Sequence, residues 1–337
     1  MSTISGRAQD AGRSPTDSEI IAYLRHRGLI PNSAVTVEQL SGGVSNDVLA
    51  VSAGGVELVV KRALRRLRVA EEWLADPERV LAEGEALRAA ARLQPDRVPP
   101  VLDIDRDAHV IVIGRAERGA YEWKADLLAG RVDLAIAARL GTVLGGWHAG
   151  TAGDPRIQRG FGGIEAFDQL RIDPFYRWMG RRHPDLAPAI DATVVEMLAR
   201  PSCLVHGDFS PKNVLLGPAT LWVIDWEVAH YGDPAFDIAF LLTHLACKSL
   251  NRPAATEAYR AAAVTFVEHY LATTGSALVW DESHVVAQTA CLVLARIDGK
   301  SPAAYLDRAA QARGRQLARS WIGGGITSLD DMWRALL

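Results

Sequence analysis

The sequence predicts an α+β protein of two lobes, a small β-rich lobe followed by a larger helical one. Three observations lead there. Apolar runs of strand length, broken by Gly-Gly and polar turns, concentrate in residues 30–113, with one prominent helical stretch among them. Residues 235–337 are rich in Ala and Leu and read as mostly helical. The chain has 337 residues, enough for about two domains of ~150. The expected divisions are a disordered N-terminus at 1–16, an N-lobe at 17–117 and a C-lobe at 118–337, with the connection near 114–120.

Thr16-Asp17-Ser18-Glu19 has the S/T-x-x-E pattern that closes a helix start reciprocally. Ile20, Ile21 and Leu24 give that helix its apolar stripe, and Gly28 with Pro31 stops it. Val35 to Val37, Val48 to Val51 and Val56 to Lys61 read as strands. The last two flank Gly54-Gly55, a hairpin signal. Residues 77–93 read as a helix carrying Val80, Leu81, Leu87 and Leu93. Val98-Pro-Pro-Val101 breaks the pattern, and His109 to Ile113 is a short apolar strand. In the second lobe, Asp133 to His148 and residues 186–200 read as helices, with a Gly-, Asp- and Arg-rich irregular stretch at 150–180 between them. Tyr121 to Lys124 reads as a solvated helix start. Cys203 to Ile224 reads as strand, loop and strand.

Composition excludes several classes. Charged residues make up 23% and hydrophobic residues 49%, which is ordinary globular usage. The balance of 37 Lys+Arg against 40 Asp+Glu gives a net charge of −3, without the basic excess of a nucleic-acid binder. Cys203, Cys247 and Cys291 are too widely spaced for a CxxC metal pattern or a disulfide framework, which fits a reducing compartment. No apolar run nears the ~18 residues of a membrane span, and the polar N-terminus lacks a signal-peptide core. The expectation is a cytoplasmic protein, monomer or homodimer, with no nucleic-acid or membrane partner.

The chemistry concentrates in LVHGDFSPKNVLL (204–216) and LWVIDWE (221–227). An apolar strand feeds His206-Gly207-Asp208, Asn213 follows five residues on, and a second buried strand ends in Asp225. Two strand-end acids with an Asn between them form an oxygen-donor set suited to Mg²⁺. Phosphoryl transfer needs that layout. One Asp accepts the acceptor's hydroxyl proton, while an Asn and a second Asp hold metal on the phosphates. Asp208 is therefore assigned as base, Asn213 and Asp225 as metal ligands, and Glu227 as a helper. Each motif alone reads equally well as a structural turn or strand end. Their order and spacing together carry the assignment.

In the small lobe, the Gly42-Gly43 loop would let backbone amides approach phosphates, although it is neither GxGxxG nor a Walker A sequence. Lys61 ends the strand Leu58-Val59-Val60, as a phosphate-pairing lysine does. Glu83, on the following helix, is the expected ion-pair partner of Lys61 in the nucleotide site, with Glu85 as its competitor, since the two positions face different ways and only one can point at Lys61.

HGDFSPKNVLL, VIDWE and GDPAFDIA resemble the aminoglycoside phosphotransferase and choline kinase superfamily, whose fold is similar to that of protein kinases. LVVKRALRRLRVAEEW, RVLAEGEAL and Asp173-Pro174-Phe175 resemble 5-methylthioribose kinase. The resemblance implies a two-lobed protein-kinase-like fold with a nucleotide-binding N-lobe and a catalytic, acceptor-binding C-lobe. It implies ATP and Mg²⁺ as cofactors, with Asp208 as base and Asn213 and Asp225 on metal. Lys61 is expected on the nucleotide phosphates, with Gly43, Ser45 and Asn46 as further nucleotide contacts. Backbone groups of about Gly114 to Glu117 would pair with the adenine, and Asp237 would brace the catalytic loop. The chain departs from the methylthioribose kinases at Asn213, at Trp226 where they carry Pro, and at Leu294 to Gly299, where their paired arginines are incomplete.

The expected reaction is ATP-dependent phosphorylation of a small-molecule hydroxyl, with a non-catalytic nucleotide-binding relative or a protein kinase as alternatives. HGD in place of HRD, and the lack of D-F-G and A-P-E, weigh against a protein kinase. No G-x-S-x-G elbow points to a hydrolase. Arg296 and Asp298, at a helix end, read either as caps or as acceptor contacts. Trp123, Trp147, Trp178 and Trp226 read mostly as core. A cationic aminoglycoside would want carboxylates near Asp208, where Asp281, Glu282 and Asp298 are the candidates. The dispersed acids, offset by Arg252, Arg260, Arg296 and Lys300, favour a neutral or zwitterionic acceptor such as a sugar, nucleoside or amino alcohol.

Overall fold

A computed structural model of the chain describes residues 16–40, 46–64 and 76–337. The chain divides into two units between Ala120 and Tyr121. The disorder expected of residues 1–16 falls, apart from Thr16, outside the described residues.

In the first unit, helix α1 (Asp17–His26) opens on the reciprocal cap. The Glu19 amide donates to Thr16 Oγ1 at 3.3 Å, and the Thr16 amide donates to Glu19 Oε2 at 2.7 Å. Strands β1 (Val35–Gln39), β2 (Asn46–Ala53), β3 (Val56–Ala63), β4 (Val101–Asp105) and β5 (Val110–Gly114) form one antiparallel sheet, ordered β1-β2-β3-β5-β4. The β2–β3 turn sets both Gly54 and Gly55 at positive φ. A Cβ on Gly54 would also lie 2.7 Å from the Pro31 ring.

Strand alternation assigns the two faces. Leu49, Val51, Ala53, Leu58, Val60, Val110 and Val112 pack with Ile20, Tyr23 and Leu24 of α1. Val59, Lys61 and Ile111 therefore point to the other face. There lies α2 (Arg79–Leu93), drawn close at Gly84, where a Cβ would meet the Ile104 and Ile111 side chains at 2.7 and 3.1 Å. Strand β4 was not anticipated. Pro99 and Pro100 masked it, because a proline that donates nothing and restricts its predecessor reads as a break.

In the second unit, β6 (Tyr121–Glu122), β8 (Val214–Leu216) and β9 (Leu221–Val223) form one small sheet, and β7 (Cys203–Val205) pairs with β10 (His230–Gly232). Helices α3 (Trp123–Leu128), α4 (Leu134–Thr151), α5 (Pro155–Phe161), α6 (Glu165–Phe167), α7 (Trp178–Arg182) and α8 (Ala187–Leu198) precede β7. Helices α9 (Ala235–Asn251), α10 (Thr256–Thr274), α11 (Glu282–Asp298), α12 (Arg308–Ser320) and α13 (Leu329–Leu336) follow β10. The core centres on α9, buried from Ala235 to Leu250.

Two readings are corrected here. The stretch 150–180 is helical, and Asp168–Arg177 forms a wide-turned π-helix around Pro174. The wider turn accommodates a proline ring that would clash inside an α-helix. The Tyr121–Lys124 segment is not simply solvated, because Trp123 is fully buried. Trp147 and Trp226 are buried as well, ring against ring at 4.9 Å. All three cysteines are free and buried. Among the described residues no helix is long and apolar enough to cross a membrane.

Candidate active site

Lys61 in the first unit is held by Glu83. Its ammonium meets Glu83 Oε1 at 2.6 Å, with side-chain exposures of 8% and 1%. Glu85 faces away to Arg106 at 2.7 Å, which settles the alternative. Register pairs Lys61 with Val48, so Asn46, two residues before Val48 and buried, shares the Lys61 face. Gly43 and Ser45 lie outside the described residues. The Gly114 and Arg115 amides are already committed, to the carbonyls of Pro100 at 2.8 Å and Glu57 at 3.3 Å.

In the second unit, β7 delivers His206-Gly207-Asp208 into a polar cradle. Asp237, at the start of α9, accepts the His206 amide on Oδ2 at 2.7 Å and the Gly207 amide on Oδ1 at 2.8 Å. His148 Nε2 also meets Oδ2, at 3.2 Å. Burial would push the Asp237 carboxyl up, but these partners outweigh it and hold the group below its ordinary range. The brace expected of Asp237 is thus built from both of its oxygens.

His206 is a strut. Its Nδ1 accepts the Asp208 amide at 3.0 Å, so the proton sits on Nε2, which donates to the Ile224 carbonyl at 3.0 Å. Burial lowers its pKa, keeping the ring neutral. Gly207 has φ +77°, and a Cβ there would lie 2.8 Å from the Val228 carbonyl oxygen, so only glycine fits.

Asp208 is buried, its side chain 5% exposed. Its Oδ2 receives Asn213 Nδ2 at 2.9 Å, Lys212 Nζ at 2.9 Å and Arg171 Nη2 at 3.1 Å. Burial pushes the carboxyl up and Asp225 adds to that, but Lys212 and Arg171 prevail and hold it below its usual range. Arg171 also donates from Nε to the Gly207 carbonyl at 2.7 Å, and its guanidinium lies over Phe175 and Phe240. Sequence reasoning missed Arg171 and Lys212. Lys212 stands in the quoted motif, four residues after Asp208. Arg171 arrives on the π-helix that was read as irregular.

Asn213 follows Ser210 in one 3₁₀ turn, and its carbonyl accepts the Ile224 amide at 2.9 Å. The pairing of β8 with β9 thereby sets Asn213 beside the residue before Asp225. Asp225 itself adopts φ +69°, a conformation uncommon outside glycine and tolerated by Asp, and one that often marks functional sites. Glu227 is buried two residues further on. Asn213 Nδ2 serves both the carbonyl and the carboxylate of Asp208, which turns Oδ1 to other partners. Asn213 and Asp225 thus offer oxygen donors that suit Mg²⁺. Among the described residues no group of three or more His, Cys, Asp or Glu could hold a metal by itself.

The proposed acceptor contacts fare differently. Asp298 is engaged within the fold. Arg315 binds both its oxygens at 2.7 Å and His183 meets Oδ2 at 3.1 Å. Asp281 caps α11 and pairs with Arg200 at 2.9 Å, and Glu282 accepts the Leu329 amide. Arg296 donates to Ser301 Oγ at 3.0 Å, while its buried Nε has no hydrogen-bond partner.

Residues 36–280 match the model of the phosphotransferase enzyme family (APH). Methylthioribose kinase of Bacillus cereus (strain ATCC 10987 / NRS 248) is 25% identical over 264 residues, 70% of this chain and 67% of that protein. Methylthioribose kinase of Bacillus mycoides (strain KBAB4) is 26% identical over 271 residues, 71% of this chain and 68% of that protein. Among solved structures, amicoumacin kinase hAmiN aligns with a TM-score of 0.56 at 14% identity, covering 95% of this chain and 97% of that one. Choline kinase LicA from Streptococcus pneumoniae aligns at 0.53 and 16%, covering 91% and 99%. At these identities the two structures speak for the fold, which is that of small-molecule kinases similar to protein kinases.

Proposed function

This chain belongs to the phosphotransferase enzyme family, and on that premise we propose that it transfers the γ-phosphoryl group of Mg²⁺–ATP to a hydroxyl of a small molecule. The observation that carries the reading is the buried, ionised Asp208 carboxylate on a braced loop beside Asn213 and Asp225. The hAmiN structure contains AMP-PNP and Ca²⁺, which supports a nucleotide and a divalent cation for this chain as well.

A carboxyl held below its usual range is a poor base toward an intact alcohol. Asp208 therefore orients the acceptor hydroxyl and takes its proton late, once the new P–O bond has acidified it. Arg171, Lys212 and Asn213 keep the carboxylate in place for that. Asn213 and Asp225 would hold the metal, with Glu227 accessory, and a divalent ion held there would supply neutralisation of the charge developing on the phosphates. In the first unit, Lys61 is assigned to the nucleotide phosphates, kept extended by Glu83. Gly43, Ser45 and Asn46 are assigned to the nucleotide too. Asp281, Glu282 and Asp298, the acids considered for a polycation, are each engaged within the fold, which weighs against such an acceptor.

The test is ATP consumption by the purified chain across amino sugars, pentoses, nucleosides, amino alcohols, hydroxy acids and sugar phosphates. Mg²⁺-dependent turnover of at least one acceptor, with a phosphorylated product, is expected. Nucleotide binding with no transfer to any of them would favour the non-catalytic reading.

A further inference from the structure

Three turns along α9 from the Asp237 brace, the same helix buries a cation. Lys248 is 1% exposed. Among the described residues its ammonium reaches only the His244 carbonyl of its own helix, at 3.3 Å, and the face of Tyr305, 5.6 Å from the ring centroid. Two further buried polar atoms, Arg296 Nε and the Tyr305 hydroxyl, have no hydrogen-bond partner among the described residues. Burial, and then Lys248, Arg296, Lys212 and Lys124, hold the His244 imidazole well below its ordinary range. Among the described residues no carboxylate comes within ion-pair distance of Lys124, Lys248 or Arg296.

Buried cations are ordinarily paired, since an unpaired one forfeits its hydration without return. Lys248 is the buried cation without a carboxylate, and the partly buried Lys124 and Arg296 add charge of the same sign about the neutral His244, as does Lys212, which is already paired with Asp208; the excess asks for an anion. Their position identifies which one. Asp237, Phe240, His244 and Lys248 recur at three- and four-residue spacing, so they share one face of α9. That face runs from beneath the catalytic loop, past Phe240 under Arg171, to Lys248. Lys212 joins the ends, with its ammonium 2.9 Å from Asp208 Oδ2 and its charge acting on His244.

We propose that this cluster seats a carboxylate or phosphate monoester carried by the hydroxyl acceptor, an assignment that rests on the kinase reading of Asp208. The acceptor is then an anionic or zwitterionic hydroxyl compound, and polycations are repelled. Lys248 supplies a further signature. Burial, with Arg296 and Lys124, lowers it to about 7, opposed by the neighbouring Cys247 thiol. The groups facing it are His244, Cys247, Arg296, Lys124 and Tyr305. An anion favours its charged form, so binding takes up a proton near neutrality.

The experiment has two parts, both on the full chain. Calorimetry with sodium sulfate, which keeps its charge across the range, should show binding at about pH 6 that weakens by about pH 8.5 as Lys248 loses its proton. Turnover is compared within matched pairs, a hydroxy acid against its amide and a sugar phosphate against the free sugar. The anionic member should have the higher kcat/KM, and the better arm distinguishes carboxylate from phosphate. Lys248→Met and, separately, Arg296→Gln should raise its KM about tenfold to a hundredfold and leave the KM for ATP unchanged. If Lys248→Met does not fold, Arg296→Gln carries the test. Equal or better turnover of neutral or cationic acceptors without sulfate binding overturns this assignment and leaves the kinase reading standing. Sulfate binding with no ATP-dependent turnover of any acceptor overturns both. A rise in the KM for ATP instead places the cluster on the nucleotide and overturns the proposal.

Discussion

At its start α9 buries Asp237 with both oxygens engaged, by two backbone amides of the catalytic loop and by His148, itself hydrogen-bonded to Tyr270 at 3.0 Å. About three turns later it buries Lys248, which has one carbonyl of its own helix and an aromatic face. The burial is alike and the satisfaction is opposite. A fully partnered buried charge is scaffold, since its partners fix backbone geometry. A buried charge with spare donors among other cations destabilises the empty protein and is useful only when a ligand completes it.

Substitution at the two ends should therefore give stability changes of opposite sign. Asp237→Asn puts an amide where two backbone amides need acceptors, and removes the charge facing His148. We expect a loss of about 3 kcal/mol in urea unfolding, because one of the His206 and Gly207 amides is left buried against a donor instead of an acceptor. A loss below about 1 kcal/mol would mean that the brace is redundant.

Lys248→Met should do the reverse, matching or exceeding the parent in melting temperature. The pH dependence sharpens it. The Lys248 pKa is depressed to about 7 in the folded chain and is about 10.4 when unfolded. Between those values the unfolded chain binds more protons, so the parent gains stability as pH rises and its penalty is full below about 7. The advantage of Met over Lys should be greatest at about pH 6 and shrink by about pH 9. A destabilised variant at pH 6 would show that Lys248 is already paired.

The smallest effect concerns Arg171, which touches both the Gly207 carbonyl and Asp208. With Arg171→Met, burial is less opposed and the Asp208 pKa rises. Asp208 works ionised, so activity falls as pH drops through its pKa. The acid limb of kcat/KM should move to higher pH, and Arg171→Lys should restore part of the shift. An unmoved limb with reduced kcat would confine Arg171 to positioning Gly207.

How far the sequence could be read follows from these same residues. HGDFSPKN and VIDWE were legible because adjacent short elements carry the chemistry, and a strand-loop-strand unit needs few distant contacts to place Asp208, Asn213 and Asp225. The hairpin and the Thr16 cap were legible for the same reason. Arg171 was not, because Gly, Asp and Pro around it argue locally for a loop, and tertiary packing on Phe240 decides otherwise. Glu83 was the expected partner of Lys61, but Glu85 competed with it, because the rotation of the helix against the sheet, which decides between them, is not written locally. The grouping of cations about His244 was not legible from charges counted along the chain. Of the basic residues counted, Arg252 serves the Leu128 carbonyl and Arg260 pairs with Asp330 and Glu257, whereas Arg296 joins Lys124, Lys212 and Lys248 from other elements.

The most direct test of the central claim, that Asp208 orients and deprotonates the acceptor hydroxyl, is turnover of Asp208→Asn measured beside its ATP affinity. The asparagine keeps the shape and the contact with Asn213 while giving up the charge that Arg171 and Lys212 hold. The account predicts ATP affinity within about twofold of the parent and turnover reduced ~10²–10⁴-fold. Turnover close to the parent's, with ATP affinity intact, would contradict it.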